Sequence, residues 1–161
     1  MSEEIMNTRN EALEFARRTR RNLEYIEQGV KKGDPVHQVT QLTLSLLGLV
    51  VIPRERNYLD EVSVMSIAQL RAKAWPNWTI LLDDPKERTS SLGHLLKHLR
   101  NAACHGGLIY NSDSRNIEDV TIIVENRKPG IRETYWKASI SAKDLRTFCY
   151  NLLNLIESTV G

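Results

Sequence analysis

The spacing of apolar residues in three long stretches is the sequence feature that most constrains this fold. Apolar residues recur every three or four positions across Leu145–Val160, which is the spacing of one buried face of an α-helix. The same spacing runs through Ile5–Val30, while Leu42–Ile52 is apolar on more than one side. We therefore predict a mainly α protein: an antiparallel bundle of four to five helices with the Leu42–Ile52 helix at its centre.

Capping residues and prolines predict where several helices begin and end. We expect the first helix over about residues 3–28. Asp34 is a suitable N-cap and Pro35 a suitable first residue for the second helix, which Pro53 should end. A run of three hydroxyl residues then provides N-cap candidates for a helix over about residues 91–105.

A β-hairpin is predicted before the last helix. Residues 117–125 and 133–141 show alternating apolar side chains, and Lys128-Pro129-Gly130 supplies a turn between them. The preceding residues 106–116 have the composition of a turn region. Ser141 is suited to cap the last helix, with an acidic residue three positions later as in a capping box.

Three other segments have two interpretations or only a weak pattern. Residues 57–73 are weakly helical, and residues 75–82 are expected to form an extended connector. Its tryptophans, Trp75 and Trp78, either cover the core or stack on nucleic-acid bases. The basic cluster Arg17–Arg21 is either a solvated helix face or a contact for an RNA backbone.

Length and composition limit the class of protein. With 161 residues, 41% of them hydrophobic and 26% charged, the chain fits one globular domain over residues 1–161. A net charge of +2 permits nucleic-acid binding without arguing for it. Cys104 and Cys149 have no metal or disulfide spacing, the N-terminus has no signal pattern, and the apolar runs are short for a bilayer. We therefore expect a cytoplasmic protein without a membrane partner.

The densest group of chemically useful side chains lies at the end of the 91–105 helix. At about 100° per residue, one face of this helix is apolar and the opposite arc is polar. The apolar face contains Leu92, Leu95, Leu96, Leu99 and Ala103. The polar arc contains Lys97, His98, Arg100, Asn101, Cys104 and His105. Gly106 is suited to end the helix in a left-handed conformation, and the pair Gly106-Gly107 permits close approach by a partner or ligand.

These residue types favour chemistry on a phosphodiester. The guanidinium of Arg100 is a planar set of donors that matches a phosphate and stays charged at any working pH. The imidazole of His105 can carry protons near neutrality, and Asn101 lies one helical turn before it on the same face. A structural interpretation is also open, since arginine and histidine near a helix C-terminus often interact with the helix dipole and the last carbonyls.

The motif resembles the signature of the HEPN superfamily of small helical domains. That signature is an arginine, a polar residue, three variable residues and a histidine, which Arg100–His105 matches without a gap. Leu95–Leu99 before the motif and Gly106 after it are also typical. The order of long helices covers most of the chain, and the hairpin with Trp136–Ser141 is similar to a branch found on bacterial plasmids and mobile elements.

The resemblance implies a metal-independent endoribonuclease that acts as a toxin or defence effector by attack of the ribose 2′-hydroxyl. Arg100 would bind the scissile phosphate, His105 would move the proton, and Asn101 would orient the phosphate or the imidazole. Lys97 and His98 would bind the RNA substrate. The resemblance also implies a homodimer, in which two such sets would form a composite active site across a two-fold axis.

Alternatives to this function stay open. A catalytically silent HEPN-like module could bind RNA, a nucleotide or a protein partner, and a purely structural helical dimer is a third interpretation. An antitoxin or regulatory partner fits the resemblance, although Gly107 stands where one antitoxin-paired subgroup has a tyrosine. His94 and His98 share a helix face, but no acidic residue lies near them in sequence, and cofactor-binding motifs are lacking. We therefore expect neither a metal nor a cofactor.

Overall fold

A computed structural model of the chain describes residues 3–55, 59–128, 130 and 132–160. In chain order, the described elements are α1 Glu3–Lys32, α2 Gln38–Glu55, α3 Asp60–Ser63, α4 Ile67–Ala72, β1 Thr79–Leu82, α5 Leu92–Cys104, β2 Leu108–Tyr110, a 3₁₀ turn Ile117–Asp119, β3 Thr121–Arg127, β4 Thr134–Ser141 and α6 Ala142–Val160. The mainly α prediction is confirmed at this level. Pro129 of the expected hairpin turn lies outside the described residues.

The strand content exceeds the prediction of one hairpin. β3 and β4 form the expected hairpin, but they are the centre of a four-stranded antiparallel sheet with the order β1-β4-β3-β2. β1 lies in the expected connector and β2 in the expected turn region. These short edge strands take their backbone partners from β4 and β3, which follow later in the chain. Local sequence patterns therefore carry little information about them.

The core lies between the helices and one face of this sheet. Helices α1, α2 and α6 pack against one another, and α5 lies between α2 and β3. The predicted alternation is confirmed, since every second residue of β3 and β4 is buried from Ile122 and Trp136 onward. The α6 stripe is buried as predicted through Leu145, Phe148, Cys149, Leu152, Leu153 and Ile156.

The start of α2 differs from the prediction. Gly33 adopts a left-handed conformation with φ of +79°, and the Asp34 N–H donates to the Gly29 carbonyl at 2.9 Å. This is a Schellman-type ending of α1, which uses the backbone of Asp34 that the prediction assigned to the next helix. Pro35 also disfavours helical backbone at Asp34, so α2 begins only at Gln38.

The end of α2 also differs, because the helix runs through Pro53 to Glu55. Pro53 lies two residues from the last residue of α2. Proline has no N–H and therefore removes one backbone hydrogen bond of the helix. So close to the helix end, this disrupts fewer of the helical hydrogen bonds than it would in the interior.

Helix α6 packs against the two tryptophans and binds one arginine of the basic cluster. Trp75 and Trp78 each contact the ring of Phe148 edge-on, with centroids 5.5 Å apart, which favours the core-covering interpretation. Arg20 donates to Glu157 on α6 at 2.8 Å. On the same helix pair, Arg146 binds Glu27 through two hydrogen bonds.

None of the helices among the described residues is long and apolar enough to cross a membrane.

Candidate active site

Helix α5 carries the predicted site, and its ends follow from local chemistry. The Ser91 side chain accepts a hydrogen bond from the His94 backbone N–H at 3.3 Å, which caps the N-terminus. The buried face includes the four predicted leucines, Leu92, Leu95, Leu96 and Leu99. Ala102 is fully buried, whereas Ala103, which the wheel placed on this face, is half-buried. Burial of this face turns the polar arc away from the core, except at His98, which is buried.

Two glycines follow the C-terminus of α5, and the second of them is hydrogen-bonded to the sheet. Gly106 has a φ of +70°, as predicted for the residue that ends the helix. The Gly107 N–H donates to the Ala102 carbonyl at 2.8 Å, and the Glu125 N–H donates to the Gly107 carbonyl at 2.8 Å. A Cβ on Gly107 would lie 1.9 Å from the Glu125 carbonyl oxygen. The close backbone approach that the glycines permit is therefore made by strand β3 of the same chain.

Arg100 and Asn101 form a bonded pair on the polar arc. The Arg100 Nη2 donates to the Asn101 Oδ1 at 3.1 Å, and both side chains are half-buried. The Arg100 Nε lies 3.4 Å from the same oxygen, so one amide oxygen faces two nitrogens of the guanidinium. These contacts restrict the orientation of the guanidinium on the helix surface.

His105 is exposed at the end of the same helix. It is the C-cap residue, and its backbone N–H donates to the Asn101 carbonyl at 3.2 Å. The imidazole makes no hydrogen bond with another residue in the described part of the chain. The structure thus places an exposed imidazole one turn beyond the Arg100–Asn101 pair, with its backbone N–H bonded to Asn101 and the sheet contact made two residues later at Gly107.

The expectation that His98 lies on the exposed arc is wrong. His98 is 1% exposed, and its ring stacks on Trp136 with centroids 4.7 Å apart and an interplanar angle of 8°. Asn126 Nδ2 lies 3.3 Å from His98 Nδ1, and His98 Nε2 lies 3.4 Å from the Glu87 carbonyl oxygen. Burial lowers the pKa of His98, which favours the neutral ring. A ring so enclosed is not available to an RNA strand.

Lys97 lies on the exposed arc as expected, but a carboxylate from the preceding loop occupies it. Its Nζ donates to Glu87 Oε2, and His94 Nε2 lies 3.8 Å from Glu87 Oε1. The hydrogen bond from Lys97 lowers the pKa of Glu87, so this carboxylate stays ionised. Helix α5 has no acidic residue of its own, but the loop before it places the Glu87 carboxylate against Lys97.

A groove of about 590 Å³ runs between α3 and α5 beside this arc. Its lining includes Glu87, His94, Lys97 and Arg100, so the groove extends to Arg100 at one end of the α5 polar arc. Gly93 allows α3 to pack closely here, because a Cβ on Gly93 would lie 3.0 Å from the Ser63 Cβ. The volume falls within the range of ligand-sized clefts, about 300–1,000 Å³.

Two further points concern metals and thiols. In residues 3–55, 59–128, 130 and 132–160, no group of three histidine, cysteine, aspartate or glutamate residues could hold a metal ion. Cys104 is exposed on the motif helix, while Cys149 is buried and its pKa is raised by burial to about 12.

Sequence reasoning missed Glu87, Asn126 and Trp136 as neighbours of the motif helix. Glu87 lies ten residues before Lys97 in a loop, and the other two come from the central strands. No local pattern connects them to α5. The buried amide of Asn126, which donates to the His98 carbonyl at 3.0 Å, is a signal that only the folded chain provides.

Comparison with known proteins identifies the family. The family model described as HEPN pEK499 p136 matches residues 1–161. No curated protein and no solved structure gives a significant match. The match covers the helices, the central hairpin and the Arg100–His105 motif. The chain therefore belongs to the HEPN pEK499 p136 family.

Proposed function

We propose that this protein is a metal-independent endoribonuclease, with Arg100, Asn101 and His105 as its active-site residues. HEPN domains are often ribonucleases, and this chain retains the complete motif. The observation that carries the proposal is the Arg100–Asn101 hydrogen bond at 3.1 Å together with the exposed imidazole of His105 one turn later. A phosphate-binding cation and a proton carrier are thereby held on one rigid helix end.

The reaction follows from these groups. A neutral imidazole accepts the proton of the ribose 2′-hydroxyl while its oxygen bonds to phosphorus, and the bond from phosphorus to the 5′ oxygen breaks. An imidazolium returns a proton to that 5′ oxygen, so the products are a 2′,3′-cyclic phosphate and a 5′-hydroxyl. Arg100 stabilises the charge that develops on the phosphoryl oxygens. Asn101 keeps the guanidinium in position.

The two proton transfers favour a dimer. A single imidazole cannot be both neutral and protonated in one step, whereas a two-fold dimer supplies one His105 in each state. We therefore propose a homodimer whose composite site contains both copies of the α5 polar arc. We also propose that the ribonuclease acts as a toxin or defence effector and that an antitoxin neutralises it.

The central experiment is cleavage of single-stranded RNA in the presence of excess chelator. We expect cleavage to persist and to leave cyclic phosphate ends, and RNA with 2′-deoxy sugars to resist. Arg100→Ala should lower kcat about 10²–10³-fold and His105→Ala about 10²–10⁴-fold. Asn101→Ala should cost about three- to tenfold, as expected for one orienting hydrogen bond.

Matched controls make the test specific. His37→Ala and Arg115→Ala remove the same side-chain types from exposed positions outside the motif, and they should cleave at the wild-type rate. Binding of RNA without cleavage would contradict the proposal and favour the silent RNA-binding module. A protein that cleaves RNA while sedimenting as a monomer would contradict the composite dimer alone.

A further inference from the structure

The Glu87 carboxylate lies in a cluster of basic side chains, Lys97, His94 and Arg100, beside the proposed active site. It accepts from Lys97 Nζ and faces His94 Nε2 at 3.8 Å, and the groove that it lines continues to Arg100. The His94 ring is oriented by Ser90, whose backbone N–H donates to Nδ1 with the two nitrogens 3.4 Å apart. In the neutral ring, that contact leaves the proton on Nε2, which is the nitrogen that faces the carboxylate.

The backbone around Glu87 is fastened to the fold on both sides. The Trp136 Nε1 donates to Thr89 Oγ1 at 2.9 Å, and Thr89 Oγ1 in turn donates to Asp83 Oδ1 at 2.9 Å. The Glu87 carbonyl oxygen lies 3.4 Å from His98 Nε2. The loop of residues 83–90 is therefore held in place, whereas the Glu87 side chain is one-third exposed and can rotate into solvent.

The chemistry of this cluster suits a second anion. A carboxylate and a phosphate diester are both oxygen anions that accept from an ammonium or imidazole N–H. An ion pair with this degree of exposure contributes little to stability, so an RNA phosphate can replace the carboxylate at small cost. Lys97 and Arg100 are three residues apart and therefore neighbours on the helix surface.

We propose that Lys97 and His94 form a second phosphate subsite for the RNA strand bound at Arg100, and that Glu87 is an internal competitor which RNA displaces from it. The inference rests on the proposed function, because it takes RNA as the ligand of the α5 polar arc. Glu87 then selects against weak or short anions, since only a strand that is also bound at Arg100 gains enough to displace the carboxylate.

The test measures binding separately from cleavage. Affinity of a fluorescent single-stranded RNA for the His105→Ala protein is measured over a series of salt concentrations, with and without Glu87→Gln. Each phosphate contact to a single strand contributes about −0.7 to the slope of log affinity against log salt. We expect Glu87→Gln to tighten binding, because RNA no longer has to displace a carboxylate from Lys97, and to leave the slope unchanged, because Lys97 contacts one phosphate in both proteins.

Two variants serve as controls. Asp60→Asn removes the same charge from the opposite wall of the same groove, and it should tighten binding less than Glu87→Gln does. Lys97→Met should make the slope shallower by about 0.7, and in that background Glu87→Gln should no longer tighten binding. A gain in affinity no larger than that of Asp60→Asn, or one that persists without Lys97, would overturn the subsite. Lack of cleavage by the unmodified protein, with the Glu87 effect intact, would instead overturn the proposed nuclease activity.

Discussion

The joint between α5 and the sheet supports a quantitative prediction at Gly107. This residue has no positive φ, so alanine would meet no backbone strain there. Its Cβ would instead lie 1.9 Å from the Glu125 carbonyl oxygen, which belongs to a central strand and not to a flexible side chain. An ordinary carbon–oxygen contact is about 3.3 Å, so the two backbones would have to separate by about 1.4 Å.

That separation breaks or weakens two backbone hydrogen bonds. The bonds from Gly107 N–H to Ala102 and from Glu125 N–H to Gly107 are both 2.8 Å long. Each contributes about 0.5–1.5 kcal/mol, and overpacking of this kind typically costs about 1–3 kcal/mol. Because the same displacement causes both effects, we expect Gly107→Ala to lower the free energy of unfolding by about 2–4 kcal/mol.

Gly106 is the matched control, since it lies one residue earlier and differs in the reason for being glycine. Its φ is +70° and no atom lies within 4 Å of the position that a Cβ would take, so alanine there costs only the left-handed backbone, about 1–2 kcal/mol. The substitution Gly106→Asn should cost less than Gly106→Ala, because asparagine adopts that conformation more readily.

Urea unfolding followed by far-UV circular dichroism measures all three variants. The expected order of destabilisation is Gly107→Ala, then Gly106→Ala, then Gly106→Asn. If Gly107→Ala is no more destabilising than Gly106→Ala, the close approach of β3 does not hold the end of α5, and the reasoning is refuted.

Two further predictions concern pH. Arg146 binds Glu27 through two hydrogen bonds and lowers its pKa below the usual 4.5, so this pair stabilises the fold above about pH 4.5 and less as the pH falls through the folded-state value. Arg146→Met should therefore cost about 1–2 kcal/mol in urea unfolding at neutral pH, with the difference from wild type shrinking in acid. Burial lowers the pKa of His98 below 6.5, so the neutral ring is fully compatible with the fold above about pH 6.5 and stability declines as the pH falls below it. His98→Phe should flatten this decline of stability between neutral and mildly acidic pH. The substitution itself costs about 1–2 kcal/mol at neutral pH, because Asn126 loses an acceptor. An equally steep decline of stability in the variant would exclude His98 as its source.

The parts of the fold that are predictable from sequence depend on contacts within a few residues. The cap at Ser91, the left-handed Gly106 and the buried leucines of α5 follow from helix periodicity and capping chemistry. The predicted start of α2 is wrong, although Asp34-Pro35 has the appropriate composition. The ending of α1 competes for the same backbone, and two valid local signals overlap there.

The motif shows the same division. Arg100, Asn101 and His105 can be named from sequence because one helix carries all three at a spacing that a family signature also has. Whether each polar residue of α5 is exposed is not a local property. His98 and Asn101 are three residues apart on that helix, yet Trp136 and Asn126 bury only the first of them.

The sequence alone determined the helical character of the chain, the position of the central hairpin and the identity of the Arg100–His105 motif, since these depend on residue spacing that the backbone converts directly into faces and turns. Only the tertiary structure decided that Glu87 neutralises Lys97, that His98 belongs to the interior, and that β3 fastens the end of α5 at Gly107. Each of those contacts joins segments far apart in the chain, and their approach is set by how the apolar faces of α5, α6 and the sheet pack together.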